Sequence, residues 1–280
     1  KAYYEAVQEY GTFDWKDIIQ PAIEHAEDGF VIRPHVDEFW TAANVMGRMS
    51  VGDKLREIPA TREIYCDQDG NTYPVGSRVK NPGMKQTLER IRDGGAEIFY
   101  SGEIAEEIAA DVAAHNGLLS LDDLKNYKTV RAEPIWGEYR GDKVSCGHPP
   151  GGGVMILEML NILEHFDLGA MTHNSADYIA IVAEAMKYAT IDKDNKMGDP
   201  AFDDVPIKDF IDRQQAGRYA HMIRSGEKAN VIRFGEPEES KDTTHVTVVD
   251  DAGNCVSMTH SLGMPSGVVT EGMGFMYNGC

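Results

Sequence analysis

The chain has 280 residues, of which 42% are apolar and 26% charged, with 12 prolines. This length and composition exclude a small disulfide- or metal-stapled module and a disordered chain, and they favour a globular protein with a sizeable core. The 46 acidic and 27 basic side chains give a net charge of −19, which disfavours nucleic acid and anionic lipid surfaces as partners.

Helical periodicity dominates the first part of the chain. Apolar residues at helical spacing follow the potential N-cap Asp14, with Pro21 as a kink or restart and Gly29 as the stop. Further helices are predicted over Val36 to Met49, Met84 to Arg92, Glu103 to Ala114, and from a capping box at Ser120 to Tyr127. A short hairpin or bulged turn is predicted where Asp69-Gly70 separates Glu63-Ile64-Tyr65 from Thr72-Tyr73.

The periodicity changes in the middle of the chain. Strands are predicted over Ile135 to Tyr139 and Lys143 to Cys146, followed by a glycine turn and an apolar helix from Val154 to Phe166. Two more helices are predicted, one from a cap at Asn174-Ser175 to Asp192 and one over Ile207 to Arg224. The polar stretch from Ser225 to Asp242 is expected to be an exposed connector.

The last segment has the composition of a sheet. Thr243 to Val249 is rich in β-branched residues, a turn follows at Asp251 to Asn254, and Cys255 to Ser261 returns as a second strand. Gly267 to Tyr277 is predicted to be a third strand.

Several classes of site have no support in the sequence. Cys66, Cys146, Cys255 and Cys280 are far apart and lack zinc-site spacing, so we expect buried free thiols, no metal and no cofactor. Glu158 interrupts the longest apolar run, which excludes a segment of the about 18 apolar residues that a membrane helix needs.

Two candidate sites have structural alternatives. Gly151 to Gly153 at a helix N-terminus could hold an anion or could be a tight turn. His245 and His260 on the hairpin could act as a base near Ser257 or Ser261, or could belong to a polar sheet surface.

Thr243 at the junction of connector and strand permits a specific chemistry. If the chain were cut before Thr243, that residue would carry both a hydroxyl nucleophile and an α-amino group with a pKa of about 8. The amine could then serve as the general base for the hydroxyl, so no separate histidine would be required.

The residues around Thr243 resemble a known family. The run from Asp242 to Asp250, Asp-Thr-Thr-His-Val-Thr-Val-Val-Asp, followed by Gly253-Asn254 and Val256-Ser257, is similar to the processing site of the gamma-glutamyltranspeptidases, which are N-terminal nucleophile hydrolases. Upstream motifs recur in family order, so the resemblance spans nearly the whole chain. They include Gln20-Pro21-Ala22-Ile23, Gly137 to Gly141, Pro149 to Gly153, Glu184 to Ala189 and Gly198-Asp199-Pro200.

The resemblance implies an α+β fold, a four-layer αββα sandwich. It also implies a precursor that cuts itself between Asp242 and Thr243, so that residues 1–242 belong to a large subunit and 243–280 to a small one that stay associated as one composite domain. Thr243 would attack a γ-glutamyl amide such as that of glutathione and pass the acyl group to water or an amine. Its support would come from Ser261 and Thr244, and the glycine loop with Gly152 and Gly153 would contact the substrate.

Departures from the family pattern bear on the substrate. Gly263 stands where many members have an Asn that binds the glutamyl carboxylate, and Cys280 stands at a Gln position of the amino subsite. Related acylases of the cephalosporin type and a non-catalytic relative are therefore alternatives.

The resemblance also bears on the compartment and on the ends of the chain. It implies a periplasmic or secreted protein that is longer at both ends, of which this piece alone is expected to be inactive.

Overall fold

The computed structural model describes residues 1–42, 49–232 and 243–279. Contacts divide the chain into two compact units, Lys1–Thr129 with Glu236–Cys280, and Val130–Gly235. Helices dominate both units, and every sheet within the described residues is an antiparallel pair of strands. No described helix is both long enough and apolar enough to cross a bilayer.

The first unit begins with a mainly helical series of elements. They are α1 (Ala2–Tyr10), α2 (Trp15–Asp28), β1 (Phe30–Val31), α3 (Pro34–Thr41), α4 (Val51–Glu57), α5 (Pro59–Tyr65), β2 (Arg78–Val79), α6 (Pro82–Gly94), α7 (Glu97–Tyr100), α8 (Glu103–Ala114) and α9 (Leu121–Asn126).

Helix α8 has the bounds that its periodicity predicts and anchors one core cluster. Ile104 and Ile108 are fully buried and pack with Leu124 and Met273. The capping box at Ser120 is confirmed, because its hydroxyl accepts the Asp123 N–H while the Asp123 carboxylate accepts the Ser120 N–H. The buried residues of α8 and the capping box of α9 therefore match the predictions from the sequence.

Three expectations for the first unit are corrected. Pro21 lies inside the continuous helix α2 and does not restart it. The helix predicted over Val36 to Met49 ends at Thr41, and its residues 43–48 lie outside the described residues. Glu63 to Tyr65 are helical and not a strand, because Pro59 begins α5 and Ile64 and Tyr65 pack on a core cluster. The turn at Asp69-Gly70 is present, and an isolated Cys66–Thr72 bridge closes it.

The second unit is built around one buried helix. Its elements are β3 (Ile135–Tyr139), β4 (Asp142–Cys146), α10 (Gly153–Leu163), α11 (Ala176–Lys196), α12 (Ile207–Phe210) and α13 (Arg213–Arg224), with a short 3₁₀ turn at Leu168–Ala170. Helix α10 packs against α11, α13 and the β3–β4 hairpin. The single helix predicted over Ile207 to Arg224 is two helices, because the Asp212 side chain caps α13 through the Gln214 N–H.

The last segment of the chain returns to the first unit. It forms β5 (Thr244–Val249), β6 (Cys255–His260), β7 (Pro265–Val269) and β8 (Met276–Asn278). The third strand predicted over Gly267 to Tyr277 is wrong, because β7 turns back and pairs with β8. Positive φ angles of 77° at Gly272 and 74° at Gly274 allow this turn.

Three hydrogen bonds, two of them buried, fasten the β7–β8 segment to the helices of its unit. The Thr61 hydroxyl donates to the Gly267 carbonyl at 2.6 Å, and the Thr87 hydroxyl donates to the Met273 carbonyl at 2.8 Å. The Asn81 side-chain amide donates to the Gly274 carbonyl at 2.7 Å. Chain segments on the two sides of the connector therefore share one core.

The thiols are only in part as expected. Cys66, Cys146 and Cys255 are free, but only Cys66 is buried, and Cys255 is exposed on β6. Among the described residues, His, Cys, Asp and Glu do not gather in groups of three that could hold a metal ion.

We predict that Gly274→Ala destabilises the protein by about 2–4 kcal/mol. A Cβ at this residue would meet the Met84 nitrogen and the Asn81 side-chain oxygen, and its φ of +74° is unfavourable for alanine. Gly76→Ala is the matched control, because Gly76 has a φ of +88° but open space around it. Thermal unfolding of the full-length variants should give the larger loss for Gly274→Ala, and equal losses would contradict a packing role for Gly274.

Candidate active site

The β5–β6 hairpin places Thr243 at its open end. The strands pair in register from Thr244 opposite His260 to Val249 opposite Cys255. The turn is closed by Asp250, whose carboxylate accepts N–H groups from Ala252 and Asn254 and the Asn254 side-chain amide. These hydrogen bonds, the Asn254 side chain first among them, lower the pKa of Asp250. The hairpin therefore has a firm turn at one end and the candidate nucleophile at the other.

Thr243 and Ser261 meet across this open end. The Thr243 Oγ1 and Ser261 Oγ atoms are 3.1 Å apart. The Gly263 N–H donates to Ser261 Oγ at 3.0 Å, and so occupies one of its acceptor positions. The Ser261 hydroxyl proton can then be donated to Thr243 Oγ1, which would favour the loss of the Thr243 hydroxyl proton during attack.

Gly263 owes its place to its backbone conformation. Its φ is +66°, in the left-handed region that glycine adopts most readily and that asparagine tolerates better than other residues. This conformation turns the chain so that its N–H reaches Ser261. The predicted substrate contact at Gly263 stays a prediction.

A cleft of about 520 Å³ lies beside Thr243. Its described lining carries imidazole, hydroxyl and apolar side chains but neither a carboxylate nor a lysine or arginine. The lining residues are His35, Val36, Phe39, Thr243, Thr244, His260 and Leu262. The described part of the cleft therefore offers hydrogen bonds and apolar contact without a carboxylate, lysine or arginine.

Thr244 and His260 belong to the hairpin face opposite Thr243. They are direct partners in the register, and side chains alternate between faces along a strand. The His260 Nδ1 atom is 2.7 Å from the Tyr3 hydroxyl. The predicted support of the nucleophile by Thr244 stays a prediction.

The predicted glycine loop lies in the second unit. Gly152 is the N-cap of α10 and Gly153 is its first residue. A Cβ on Gly153 would lie 2.6 Å from the Cys146 Cβ atom, so glycine is required there for the helix to pack on β4. Packing thus accounts for Gly153, and the substrate contacts of both glycines stay predictions. Asp242 of the processing site and Cys280 of the predicted subsite lie outside the described residues.

His245 has contacts that the sequence did not predict; from the sequence it was a candidate only for the role of a base. His245 contacts the hydroxyls of Thr247, Ser257 and Thr259, on the same face as Thr243. The register of two paired strands is needed to bring these residues together, and residue spacing alone gave only the possibility of a contact with Ser257.

Comparison with known proteins places the chain in a family. The family model described as Gamma-glutamyltranspeptidase matches residues 1–279. A glutathione hydrolase proenzyme from Escherichia coli (strain K12) is 34% identical over 98% of this chain and 47% of its own length. An acylase ACY 1 proenzyme from Pseudomonas sp. (strain V22) is also 34% identical, over 99% of this chain and 49% of its own length.

A solved structure of a related protein also matches nearly the whole chain. The cephalosporin acylase from Bacillus halodurans superposes with a TM-score of 0.80 at 27% identity, over 99% of this chain and 50% of that one. The chain spans about half the length of the curated relatives it matches. The chain belongs to the gamma-glutamyltranspeptidase family.

Proposed function

We propose that the full-length protein is a self-processing acyltransferase or hydrolase that cleaves γ-glutamyl amides such as glutathione through an ester on Thr243. The single observation that carries this proposal is the 3.1 Å contact between the Thr243 and Ser261 hydroxyls at the open end of the hairpin. The similarity to a glutathione hydrolase proenzyme supports the substrate class.

Maturation and turnover would use the same hydroxyl. In maturation, Thr243 Oγ1 attacks the Asp242 carbonyl carbon, the acyl group moves from nitrogen to oxygen, and water hydrolyses the ester, which leaves the Asp242 carboxylate and a free Thr243 α-amine. In turnover, that amine accepts the proton of its own hydroxyl as Oγ1 attacks the substrate carbonyl carbon. Collapse of the tetrahedral intermediate returns that proton to the departing amine and leaves an acyl ester. Water or an acceptor amine then attacks the ester, releases the acid or the new amide, and restores the Thr243 hydroxyl.

The hairpin and its neighbours support the proposed composite fold. Both faces of the β5–β6 pair are exposed, with Val246 on one face at 42% exposure and Val249 on the other at 64%. We infer that further strands of the parent protein cover these faces in a four-layer αββα sandwich. The hydrogen bonds from Thr61 and Thr87 to the β7–β8 segment would keep residues 1–242 and 243–280 together as two subunits after cleavage.

A related acylase is the second candidate for the substrate. The described lining of the cleft beside Thr243 has no carboxylate, lysine or arginine, and Gly263 brings no side chain to it. Such a lining suits an uncharged acyl group better than the zwitterionic end of a glutamyl group. The acylase ACY 1 relative supports this candidate, because its sequence identity to this chain, 34%, equals that of the glutathione hydrolase.

A comparison of two substrate classes tests the proposal. The purified full-length protein is given γ-glutamyl anilides and uncharged acyl anilides, kcat/KM is measured for each, and the small subunit is weighed for a trapped acyl group. The proposal expects a higher kcat/KM for the γ-glutamyl series and an acyl adduct on Thr243. A preference for uncharged acyl groups favours the acylase, and the lack of any turnover or adduct favours a non-catalytic relative.

We predict that Gly263→Asn raises kcat/KM for γ-glutamyl substrates by about tenfold, the effect of one added hydrogen bond to a charged group. The left-handed backbone at Gly263 tolerates asparagine, and the new amide could reach a substrate carboxylate. Gly263→Ala carries the greater backbone strain without the amide and is the control. An equal rise in both variants, or a rise for uncharged substrates as well, would exclude a carboxylate contact.

A further inference from the structure

One face of the β5–β6 hairpin is a continuous row of hydroxyl and imidazole groups. Three successive cross-strand pairs form it: Thr243 with Ser261, His245 with Thr259, and Thr247 with Ser257. The opposite face alternates with it and carries the pairs Val246 with Met258 and Val248 with Val256. Three polar pairs therefore lie on the face that holds the candidate nucleophile, whereas the opposite face has one, Thr244 with His260.

His245 connects the two strands within this row. Its Nδ1 atom is 2.8 Å from Thr259 Oγ1, and its Nε2 atom is 3.2 Å from Ser257 Oγ, both on the partner strand. Nε2 is also 3.0 Å from Thr247 Oγ1 on its own strand. In either neutral tautomer Nδ1 has one hydroxyl partner, Thr259, and Nε2 shares its one lone pair or its one proton between Ser257 and Thr247.

We propose that His245 is a positioning residue that locks the register of β5 on β6 and thereby holds the Thr243 hydroxyl against Ser261. This inference rests on the proposed function of Thr243. A slip of one residue would move Ser261 to the other face of the hairpin and separate the two hydroxyls. Thr243 lies beyond the last ladder pair, so its position depends on how firmly the adjoining pairs are held.

The position of His245 argues against a direct role as base. His245 is two residues after Thr243, which is about 6.6 Å along an extended strand. Both of its ring nitrogens are engaged by hydroxyls other than that of Thr243. An N-terminal threonine also has its own amine as base, so the imidazole acts through the strands.

Substitutions in the full-length protein test this role. His245→Ala is expected to lower the rate of self-cleavage and kcat about tenfold, the worth of one to two hydrogen bonds, with KM changed less than twofold. His245→Asn should restore most of the loss, because its amide can donate to Thr259 from the place of Nδ1. Asp251→Ala, at the exposed turn of the same hairpin, is the control and should leave both rates unchanged.

A double-mutant cycle with Thr259→Val distinguishes a specific His245–Thr259 interaction from nonspecific destabilisation of the hairpin. If His245 acts through Thr259, His245→Ala combined with Thr259→Val should be no slower than His245→Ala alone. Fully additive losses, no loss in His245→Ala, or a shifted acid limb of its pH–rate profile would each overturn the proposal.

Hydrogen exchange keeps this test distinct from that of the proposed function. Amides of residues 244–260 should exchange faster in His245→Ala and return towards the parent rate in His245→Asn. If the unsubstituted protein neither cleaves itself nor turns over amides, the proposed function fails, and this exchange pattern still decides whether His245 locks the register. Unchanged exchange in His245→Ala overturns the lock even in an active protein.

Discussion

Thr243→Ala in the full-length protein is expected to abolish both self-cleavage and amide turnover, by a factor of about 10⁴ or more, whereas Thr243→Ser retains a part of each. Alanine removes the oxygen that would attack the Asp242 carbonyl and later the substrate, and serine keeps it. Denatured intact mass, with sequencing of any new N-terminus, measures the cleavage. Release of amine from γ-glutamyl anilides measures the turnover.

Thr244→Ala is the matched control for this experiment. Thr244 is the adjacent hydroxyl, but it belongs to the opposite face of the hairpin, whereas Thr243 lies 3.1 Å from Ser261. The Thr244→Ala protein should therefore still split before Thr243, at a reduced rate if Thr244 supports the nucleophile. An alanine at residue 243 that still permits cleavage at this junction would remove Thr243 from the mechanism.

The sequence predicts those elements whose ends are marked by local chemistry. The capping box at Ser120 predicts the start of α9, and the cap at Ser175 predicts the start of α11. The turn at Asp251 to Asn254 predicts the β5–β6 hairpin. In each case a side chain bonds to backbone a few residues away, so the signal is contained within a short window.

The corrected elements depend on distant contacts or on competing local signals. Residues 63–65 contain β-favouring Ile64 and Tyr65, but Pro59 starts a helix that buries this face in a core cluster. The turn between β7 and β8 needs Gly274 to lie against Met84 and Asn81, far away in sequence. Tertiary packing determines the secondary structure of such segments, and the neighbouring sequence does not contain that information.

The candidate site also combines residues that a local motif identifies with contacts that only the folded structure provides. Thr243 can be recognised from its motif, because an N-terminal threonine combines nucleophile and base in one residue. The roles of Ser261 and Gly263 come from the family resemblance, and the structure adds the hydrogen bonds that join them. The His245 contacts require the cross-strand register, which the alternation of residues permits without selecting it.

Glu158 in helix α10 is the buried group with the largest expected effect on stability. Its side chain is 2% exposed, and neither carboxyl oxygen has a hydrogen-bond partner among the described residues when the group is treated as an acceptor. Burial first, and then neighbouring Asp192, raise the pKa of Glu158 to about 9. Asp192 is itself held by Lys196 at 3.1 Å and by the Tyr219 hydroxyl at 3.0 Å. Burial and the neighbouring Asp192 carboxylate therefore both favour the protonated form of Glu158.

The raised pKa sets the sign of the pH dependence. The folded protein retains the Glu158 proton up to about pH 9, whereas the unfolded chain releases it near 4.5, so the folded state binds more protons between these values. The contribution of Glu158 to stability is complete below the unfolded value and is lost as the pH rises towards 9. Glu158→Gln keeps a neutral donor towards Asp192, so the variant should be more stable than the parent by on the order of 2 kcal/mol at pH 8 and equally stable near pH 4.5.

Glu184→Gln is the control of opposite sign. Burial alone would raise the pKa of Glu184, but hydrogen bonds from Lys187 and from the Ala229 N–H, together with the charges of Lys187 and Lys228, lower it below the usual range. Its stabilising contribution is present above the unfolded pKa and is lost on acidification, so Glu184→Gln should destabilise the protein at pH 8. Thermal unfolding of both variants from pH 5 to 8.5 checks the pair. A Glu158→Gln protein whose advantage does not grow with pH would mean that Glu158 is ionised in the folded state and that another group compensates its charge.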